Sequence, residues 1–218
     1  MLLKTLLAKK VFYRGIQQKG QQYMLKKLLL SLALSASLFA MHDASVNLNS
    51  DDIEVNGNID LGELNQSDYP DSYFLTLGFL DVDNAESTDP LLSAGFMLRQ
   101  DMTGVNDLRF GIGFKGTYTK VGNSKHAALP INVELAYTLP LDFAMPVIIS
   151  AGLSYAPSVL SFKDADSYFE GRAEVSLQII EQGALFVGYR QIETDFESNR
   201  GGDYTFSDSA YIGFKVRF

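Results

Sequence analysis

Residues 167–180 have the sequence SYFEGRAEVSLQII, in which apolar and polar side chains alternate from one residue to the next. The side chains on one face are apolar or small: Phe169, Gly171, Ala173, Val175, Leu177 and Ile179. The opposite face is mostly polar: Tyr168, Glu170, Arg172, Glu174, Ser176 and Gln178. Because successive side chains of a β-strand point to opposite faces, this stretch predicts a long strand with two unlike faces.

Other stretches of nine or more residues share this alternation: 72–80, 91–99, 107–119, 129–139, 146–156, 183–192 and 208–218. Strands that cross a membrane need about 9 to 11 residues, whereas strands of soluble proteins centre on about 5 to 6. The sequence therefore predicts an all-β fold over residues 72–218. Its form is a closed antiparallel transmembrane β-barrel with 8 strands.

The connections between these stretches also favour a membrane barrel. Long polar connections at 81–90, 120–128, 157–166 and 193–207 alternate with shorter ones at 100–106, 140–145 and 181–182. Outer-membrane barrels combine long external loops with short periplasmic turns. A soluble β-sandwich, the competing fold, has no reason to sort its loops in this way.

The N-terminal segment 41–71 leaves the number of strands open. Val46 and Leu48 hint at a short strand, and Ile53, Val55 and Ile59 alternate with polar residues. If residues 44–61 add a pair of strands, the total becomes 10, and both totals are even, as single-chain bacterial barrels require. We favour eight strands and keep ten as the alternative.

Residues 24–40 have the three parts of a secretory signal peptide. A basic start, Met24-Leu25-Lys26-Lys27, precedes the apolar run 28–40, which ends in the small residue Ala40. We expect cleavage between Ala40 and Met41. Residues 1–23 then lie in front of the signal, and we interpret them as upstream DNA translated from a mis-assigned start codon. A long basic extension of the signal is the alternative.

Composition excludes several classes of function. Residues 1–40 hold seven of the 18 Lys and Arg and none of the 26 Asp and Glu, so 41–218 has 11 basic and 26 acidic residues. Such an acidic chain argues against a nucleic-acid partner, because a phosphate backbone requires a basic face. The absence of cysteine excludes thiol nucleophiles and thiolate metal sites. We expect no cofactor and no metal ligand.

Charged residues on the polar strand faces predict a network inside the barrel. Seven of the 11 basic residues and three glutamates lie on these faces. Buried charges must be paired, so we expect the glutamates to meet Arg and Lys of neighbouring strands. The predicted network contains Arg99, Arg109, Lys115, Glu134, Glu170, Arg172, Glu174, Arg190, Lys215 and Arg217. The alternative is the solvated outer face of a soluble sheet.

Candidate catalytic and calcium sites are incomplete. The chain has two histidines, His42 and His126, and the sequence Ser124-Lys125-His126 lacks an acid that could orient the imidazole. We therefore expect no catalytic residues and no enzyme activity. The acidic loop 81–89 has Ala85 in place of a calcium ligand and Glu86 in place of the turn glycine, so we interpret it as a solvated loop.

The end of the chain carries a pattern typical of outer-membrane proteins. Apolar side chains occupy every second position up to a terminal phenylalanine: Ile212, Phe214, Val216 and Phe218. This pattern predicts recognition by the outer-membrane barrel assembly machinery.

A family resemblance points to the same location. The run Gly152-Leu153-Ser154-Tyr155-Ala156-Pro157, the residues Asp166, Tyr168, Glu170 and Arg172, and the run Gly188-Tyr189-Arg190 resemble the YfaZ family of small Gram-negative outer-membrane proteins. The similarity covers most of 72–218 and is weakest in 41–71. It implies an outer-membrane barrel and no particular activity.

These observations predict a small integral outer-membrane β-barrel of a Gram-negative bacterium, with acidic external loops and a structural, non-enzymatic role. The expected partners are outer-membrane lipid, lipopolysaccharide and the assembly machinery; the oligomeric state is open. A narrow pore is the first alternative, and lumenal Arg and Lys outnumber Glu seven to three, which would favour anions. A soluble periplasmic β-protein is the second.

Overall fold

The computed structural model describes residues 43–64, 70–83, 88–141, 145–196 and 202–218. The chain divides into two compact units, Met1–Phe39 and Ala40–Phe218, and every described residue belongs to the second. The predicted signal peptide, its cleavage between Ala40 and Met41, and the proposed start at Met24 lie outside the described residues. So do residues 84–87 of the acidic loop 81–89.

The described chain consists of twelve strands and two very short helices. The strands are β1 (Asp43–Leu48), β2 (Asp52–Asp60), β3 (Tyr73–Val82), β4 (Leu91–Asp101), β5 (Leu108–Val121), β6 (Ser124–Ala128), β7 (Ile131–Thr138), β8 (Val147–Ala156), β9 (Ser161–Lys163), β10 (Ala165–Ile180), β11 (Gly183–Phe196) and β12 (Asp203–Arg217). Helix α1 spans Leu61–Leu64, and the 3-10 helix η1 spans Ser158–Leu160. No helix in these described ranges is long and apolar enough to cross a membrane.

Ten of the strands form a closed antiparallel ring. Each strand pairs with the next in the order β1, β2, β3, β4, β5, β7, β8, β10, β11 and β12. The first and last strands close the ring, with Asp43 opposite Arg217 and Leu48 opposite Ile212. Closure pairs the backbone groups that the open edges of an unclosed sheet would leave unpaired.

The prediction of eight strands is wrong, and the ten-stranded alternative fits. Strands β1 and β2 come from 43–60, the segment that the sequence left undecided. β1 is only six residues long, which is why its alternation gives no more than a hint of a strand. Without this pair, the facing edges of β3 and β12 would have no partner, because β2 pairs with β3 and β1 pairs with β12.

Two predicted loops contain strands outside the ring. β6 lies within the predicted loop 120–128 and pairs with the end of β5, from Thr117 opposite Ala128 to Val121 opposite Ser124. β9 lies within the predicted loop 157–166 and pairs with β6. Residues 117–128 and 161–163 thus form a three-stranded sheet, here called the extension, which continues the barrel wall beyond the ring.

Antiparallel order fixes which connections share an end of the barrel. The connections β1–β2, β3–β4, β8–β10 and β11–β12 and the extension lie at one end, the loop end. The first and last described residues and the connections β2–β3, β4–β5, β7–β8 and β10–β11 lie at the other, the turn end. The connections are only partly separated by length between the two ends. The turn 49–51 at the loop end is short, and the β2–β3 connection at the turn end is longer and contains α1.

The outer wall of the ring is apolar and the interior is polar. Large hydrophobic side chains remain exposed on the outer face of nearly every strand, among them Leu77, Leu92, Ile112, Phe114, Ile131, Leu135, Ile149, Leu153, Val175, Leu185, Val187 and Ile212. Charged and polar side chains are instead buried, including Asp52, Glu54, Glu170 and Arg190. This distribution reverses the arrangement of a soluble protein.

Candidate functional site in the barrel interior

Apolar side chains fill the interior at the loop end. We call this group the mouth cluster: Leu80, Leu91, Val121, Ala128, Ala156, Tyr168, Ile192, Phe196 and Phe206. Val121 and Ala128 belong to the extension, and the others come from the loop-end parts of the ring strands. The extension therefore contributes to the seal at the mouth.

His126 lies within this seal and is fully buried. Its imidazole packs against the rings of Tyr168 and Phe206, with centroid distances of 5.3 and 6.1 Å. Nδ1 is 3.0 Å from the hydroxyl of Thr194, and Nε2 is 2.9 Å from the hydroxyl of Thr117. The His126 side chain on β6 thus contacts side chains of both β5 and β11.

The hydrogen bonds of His126 assign its tautomer. The Thr194 hydroxyl donates its proton to the backbone carbonyl of Ser167 at 2.7 Å, so it can only accept from the imidazole. Nδ1 therefore carries the hydrogen, and Nε2 of the neutral ring accepts from Thr117, whose contact with the Ala128 carbonyl is longer, at 3.4 Å. Burial disfavours the charged imidazolium and lowers the pKa of His126 to about 4. The residue is neutral near pH 7.

A group of charged side chains crosses the interior below the mouth cluster. At its centre is Arg190 on β11, which has no solvent exposure. The guanidinium donates to Asp52 at 2.5 Å, to Glu54, and to the Asn47 side-chain carbonyl at 3.2 Å. The ring of Tyr211 lies 5.0 Å from the guanidinium. Each of these partners is on β1, β2 or β12.

Glu54 also connects Arg190 to its register partner Arg172 on the neighbouring strand β10. Arg172 on β10 binds both oxygens of Glu54 at 2.8 Å and donates to Glu170 at 3.1 Å. Glu170 also accepts from Lys115 at 2.5 Å. The result is a chain of alternating charge, which we call the charge network: Lys115, Glu170, Arg172, Glu54, Arg190 and Asp52. It contains three cations and three anions and joins β2, β5, β10 and β11 across the lumen.

A separate ion pair lies nearer the turn end. Arg99 on β4 approaches Glu134 on β7 to 3.1 Å across the intervening strand β5. Gly111 occupies β5 between them, and a Cβ at that position would lie 3.3 Å from Cβ of Glu134. The glycine therefore leaves room for the two side chains to meet.

The remaining predicted network residues have other surroundings. Arg109 pairs with Asp101 at 3.0 Å, and the carboxylate side chain of Asp101 is mostly exposed. Glu174 accepts from the hydroxyl of Tyr211 at 2.7 Å rather than from an Arg or Lys. Lys215 lines the interior cavity, and Arg217 is exposed near the end of β12. The predicted residues therefore divide between one connected network and several separate contacts.

Sequence reasoning missed Asp52 and Glu54, which hold the network together. The sequence could have indicated Glu54, because this residue lies on the polar face of the alternating stretch 53–61. The favoured count of eight strands did not include that stretch. β1 and β2 add four buried carboxylates to the three glutamates: Asp43, Asp52, Glu54 and Asp60. Arg217 is exposed and Arg109 pairs with the exposed Asp101, so five basic residues remain in the interior against seven acids, which removes the basis for an anion-favouring lumen.

A polar cavity of about 180 Å³ adjoins the charge network. Leu80, Leu91, Tyr168 and Ile192 of the mouth cluster line one part of it, and Thr76, Arg99, Glu134 and Lys215 line its part nearer the turn end. Asn132 is also in the lining, and its buried side-chain oxygen has no hydrogen-bond partner among the protein atoms described. Such a space is suited to ordered water.

The histidine and the metal-binding residue types of the interior were candidates for chemistry. Within the described ranges, no group of three or more His, Asp or Glu side chains is arranged to hold a metal ion. His126 is enclosed by two threonines and by aromatic rings, and Ser124 is also buried. The residues of the C-terminal pattern, Ile212, Phe214 and Phe218, lie exposed on the outer wall.

Comparison with known proteins gives a family. None of the curated proteins compared with this chain matches it. A family model described as YfaZ precursor matches residues 25–218, which include every strand of the ring and the extension. The match covers most of the chain, and the protein therefore belongs to the YfaZ family.

Proposed function

We propose that this protein is an integral outer-membrane β-barrel with a closed lumen, whose role is structural at the cell surface rather than catalytic. The observation that carries the proposal is the inverted distribution of side chains. Ile131 and Leu153 on the outer wall are each 53% exposed, while Arg190 in the interior is 0% exposed. Soluble monomers rarely expose apolar patches larger than a few hundred Å².

The closed ring supports insertion into a bilayer. A lipid environment contains no water to satisfy open strand edges, so strands can span it only as a closed barrel. The pairing of β12 with β1 meets this requirement. A soluble periplasmic protein would gain nothing from an apolar outer wall around buried charges, which leaves that alternative without support from the side-chain pattern.

Two barriers in the lumen favour a closed barrel over a pore. The mouth cluster blocks the loop end with apolar side chains, and the charge network joins facing walls below it. Interior acids outnumber interior basic residues, which also removes the reason to expect anion selectivity. We therefore propose that the barrel does not conduct ions in its resting state.

Orientation and export follow from the same proposal. Outer-membrane barrels have short turns on the periplasmic side, so the turn end, with the C-terminal strand, faces the periplasm and the extension faces outward. The word precursor in the description of the family supports an exported chain, and the match starts at residue 25, directly after Met24. We propose that residues 24–40 are removed on export.

Membrane fractionation and gel migration test the location. The protein should remain with the outer membrane until detergent is added, and the folded barrel should migrate differently before and after boiling. Extraction without detergent, together with heat-independent migration, would support the soluble alternative instead. N-terminal sequencing of the purified protein tests the cleavage after Ala40.

Planar-bilayer recordings test closure. We expect no stable channels from the wild-type protein at neutral pH. Reproducible channels that disappear when the protein is denatured would show that the lumen conducts. That result would reject the closed, structural barrel in favour of a pore.

A further inference from the structure

The charges that line the interior cavity balance one another. The lining contains four acidic and four basic side chains. Three acids are bound to three bases, in the pairs Arg99–Glu134, Lys115–Glu170 and Arg172–Glu54. The remaining two, Glu174 and Lys215, have opposite charges. A charged ligand would therefore meet no excess of the opposite charge in this space.

The uncharged polar side chains of the lining have hydrogen-bonding capacity to spare. Asn132 on β7 is only 6% exposed, and its side-chain oxygen has no partner among the protein atoms described. Its register partner on β5 is Gly113, which offers no side chain, and its partner on β8 is the buried Ser154. An unpaired buried amide oxygen is costly, so this part of the wall is suited to binding a polar molecule.

A second group of uncharged polar side chains lies on another part of the cavity wall. Asn56 on β2, Gly78 on β3 and Ser93 on β4 form one row in the register. A Cβ at Gly78 would collide with the Ser93 hydroxyl and lie 3.0 Å from the side-chain oxygen of Asn56. Both side chains therefore extend over the glycine, and both line the cavity. Their amide and hydroxyl groups face the same space as Asn132 and Ser154.

Solvent reaches the cavity from the turn end. At the loop end, side chains of the mouth cluster close it. Towards the turn end, the side chains of Arg99 and Glu134 in its lining are 19% and 40% exposed. A small solute can therefore enter from the turn end without passing the mouth cluster.

We propose that this cavity binds a small uncharged polyhydroxylated solute of the aldohexose class. We call the site the polyol site: Asn56, Ser93, Asn132 and Ser154. A hydroxyl group both donates and accepts, so a sugar can satisfy the amides and the hydroxyls of both groups. The cavity of about 180 Å³ has room for about six water molecules, which the hydroxyls of one sugar ring would replace. This proposal goes beyond the proposed function, which assigns no ligand to the lumen.

Part of the lining is apolar, which suits the C–H groups of a sugar ring. Met97 and Phe186 line the cavity and are 2% and 3% exposed. Sites for small molecules commonly combine apolar walls with a few placed polar groups. An inorganic ion would gain nothing from the apolar part, so the mixed lining favours an organic solute with hydroxyl groups.

The test is saturation-transfer NMR of the full barrel protein, purified in a detergent without a sugar headgroup and titrated with glucose, galactose and mannose. At least one of these sugars should bind with a Kd of about 1 mM, because so small a ligand has few atoms for contacts. Glucuronate and glucosamine add one charge to the same ring. Because a charge pays to leave water, each should bind at least about fivefold more weakly than glucose.

Two variants of the polyol site and one matched control locate the binding. Asn132→Leu removes an amide whose oxygen no described atom binds, so the barrel should fold and the affinity should fall more than about tenfold. Ser154→Ala should weaken binding about fivefold, the usual contribution of one hydrogen bond. Ser176→Ala is the control, because Ser176 is 8% exposed against 7% for Ser154 but is not part of the cavity lining. Its affinity should stay within about twofold of the wild type.

Four results would overturn the proposal. If none of the three sugars binds the wild type, the cavity holds ordered water only. Tighter binding of glucuronate than of glucose would assign the cavity to anions at Lys215, and tighter binding of glucosamine would assign it to cations at Glu174. Wild-type affinity in both N132L and S154A would place the sugar elsewhere. An equal loss in S154A and S176A would indicate a general disturbance of the interior.

The same samples separate this proposal from the proposed function. Heat-dependent gel migration reports whether each variant forms the barrel. If the wild type is a folded barrel that remains with the membrane but binds none of the sugars, only the polyol site fails. If it binds a sugar but is extracted without detergent, the proposed location fails and the polyol site stands.

Discussion

The mouth cluster and the charge network both close the lumen, but they do so by different physical means. The mouth cluster excludes water with apolar side chains whose contacts are numerous and individually weak. The charge network consists of a few buried ions that depend on one another, because Glu54 accepts hydrogen bonds from Arg172, Arg190 and Asn47. The two barriers should therefore respond differently to substitutions of the same size.

A buried ion that loses its partner is more costly than a small gap among apolar side chains. Removing one member of a buried ion pair costs about 3 to 5 kcal/mol because an uncompensated charge remains. Deleting one methylene from a packed core costs about 1 kcal/mol. The network should therefore be the more sensitive barrier to single substitutions, and the mouth cluster the more tolerant one.

Glu54→Gln should have the largest effect. The change removes the negative charge between Arg172 and Arg190, and we expect the free energy of unfolding to fall by about 3 to 5 kcal/mol. Urea unfolding of the reconstituted barrel, followed by far-UV circular dichroism, measures it. Glu174→Gln is the matched control, because Glu174 accepts one hydrogen bond from Tyr211. Equal losses in both variants would contradict the central position of Glu54.

Acid should weaken the mouth cluster through His126. The pKa of His126 is lowered to about 4 in the folded protein, against about 6.5 for an exposed histidine. Between these values only the unfolded form binds the proton, so stability is complete above pH 6.5 and falls as the pH approaches 4. The expected loss is about 3 kcal/mol.

The variant His126→Gln isolates this contribution. His42 remains in the full chain and carboxylates titrate in both proteins, so the difference between the two stability profiles reports His126. A wild-type profile parallel to that of H126Q between pH 6.5 and 4 would show that the imidazole is not buried and neutral.

Ile192→Val should have a smaller effect. Ile192 is 1% exposed in the mouth cluster, and the loss of one methylene should lower the free energy of unfolding by about 1 kcal/mol. Ile149→Val makes the same chemical change on the outer wall and should cost less than about 0.5 kcal/mol. If I149V costs as much as I192V, the mouth cluster is no better packed than the lipid-facing surface.

Arg109→Gln should have the smallest effect. Arg109 is partly exposed and its partner Asp101 is mostly exposed, and such surface pairs contribute about 0 to 1 kcal/mol. The same unfolding measurement should place R109Q close to the wild type. A loss as large as that of E54Q would mean that burial does not distinguish the two ion pairs.

The strand pattern was predictable because alternation is a local property. The long stretch 167–180 falls within β10, and the ends of the other seven predicted strands agree with the observed ones to within a few residues. The short strand β1 was only hinted at by Val46 and Leu48, since six residues contain few alternating positions. Its partner β2 had the pattern but lay in the same undecided segment.

The partners of the charged residues were less predictable because they come from distant strands. Lys115 meets Glu170 and Arg172 meets Glu54 across the lumen rather than within one hairpin. Glu174, predicted to meet an Arg or Lys, contacts Tyr211. The burial of His126 also depends on β6 folding back along β5, which the polar loop 120–128 did not indicate.

The long strands with one apolar and one polar face follow from the amino-acid sequence alone, because side-chain direction in a strand depends only on position along the chain. Three features arise in the folded chain: ten strands close the ring, Asp52 and Glu54 complete the charge network, and the extension helps to seal the mouth. Those features depend on the distances between strands that are far apart in sequence, and closure of the ring sets those distances.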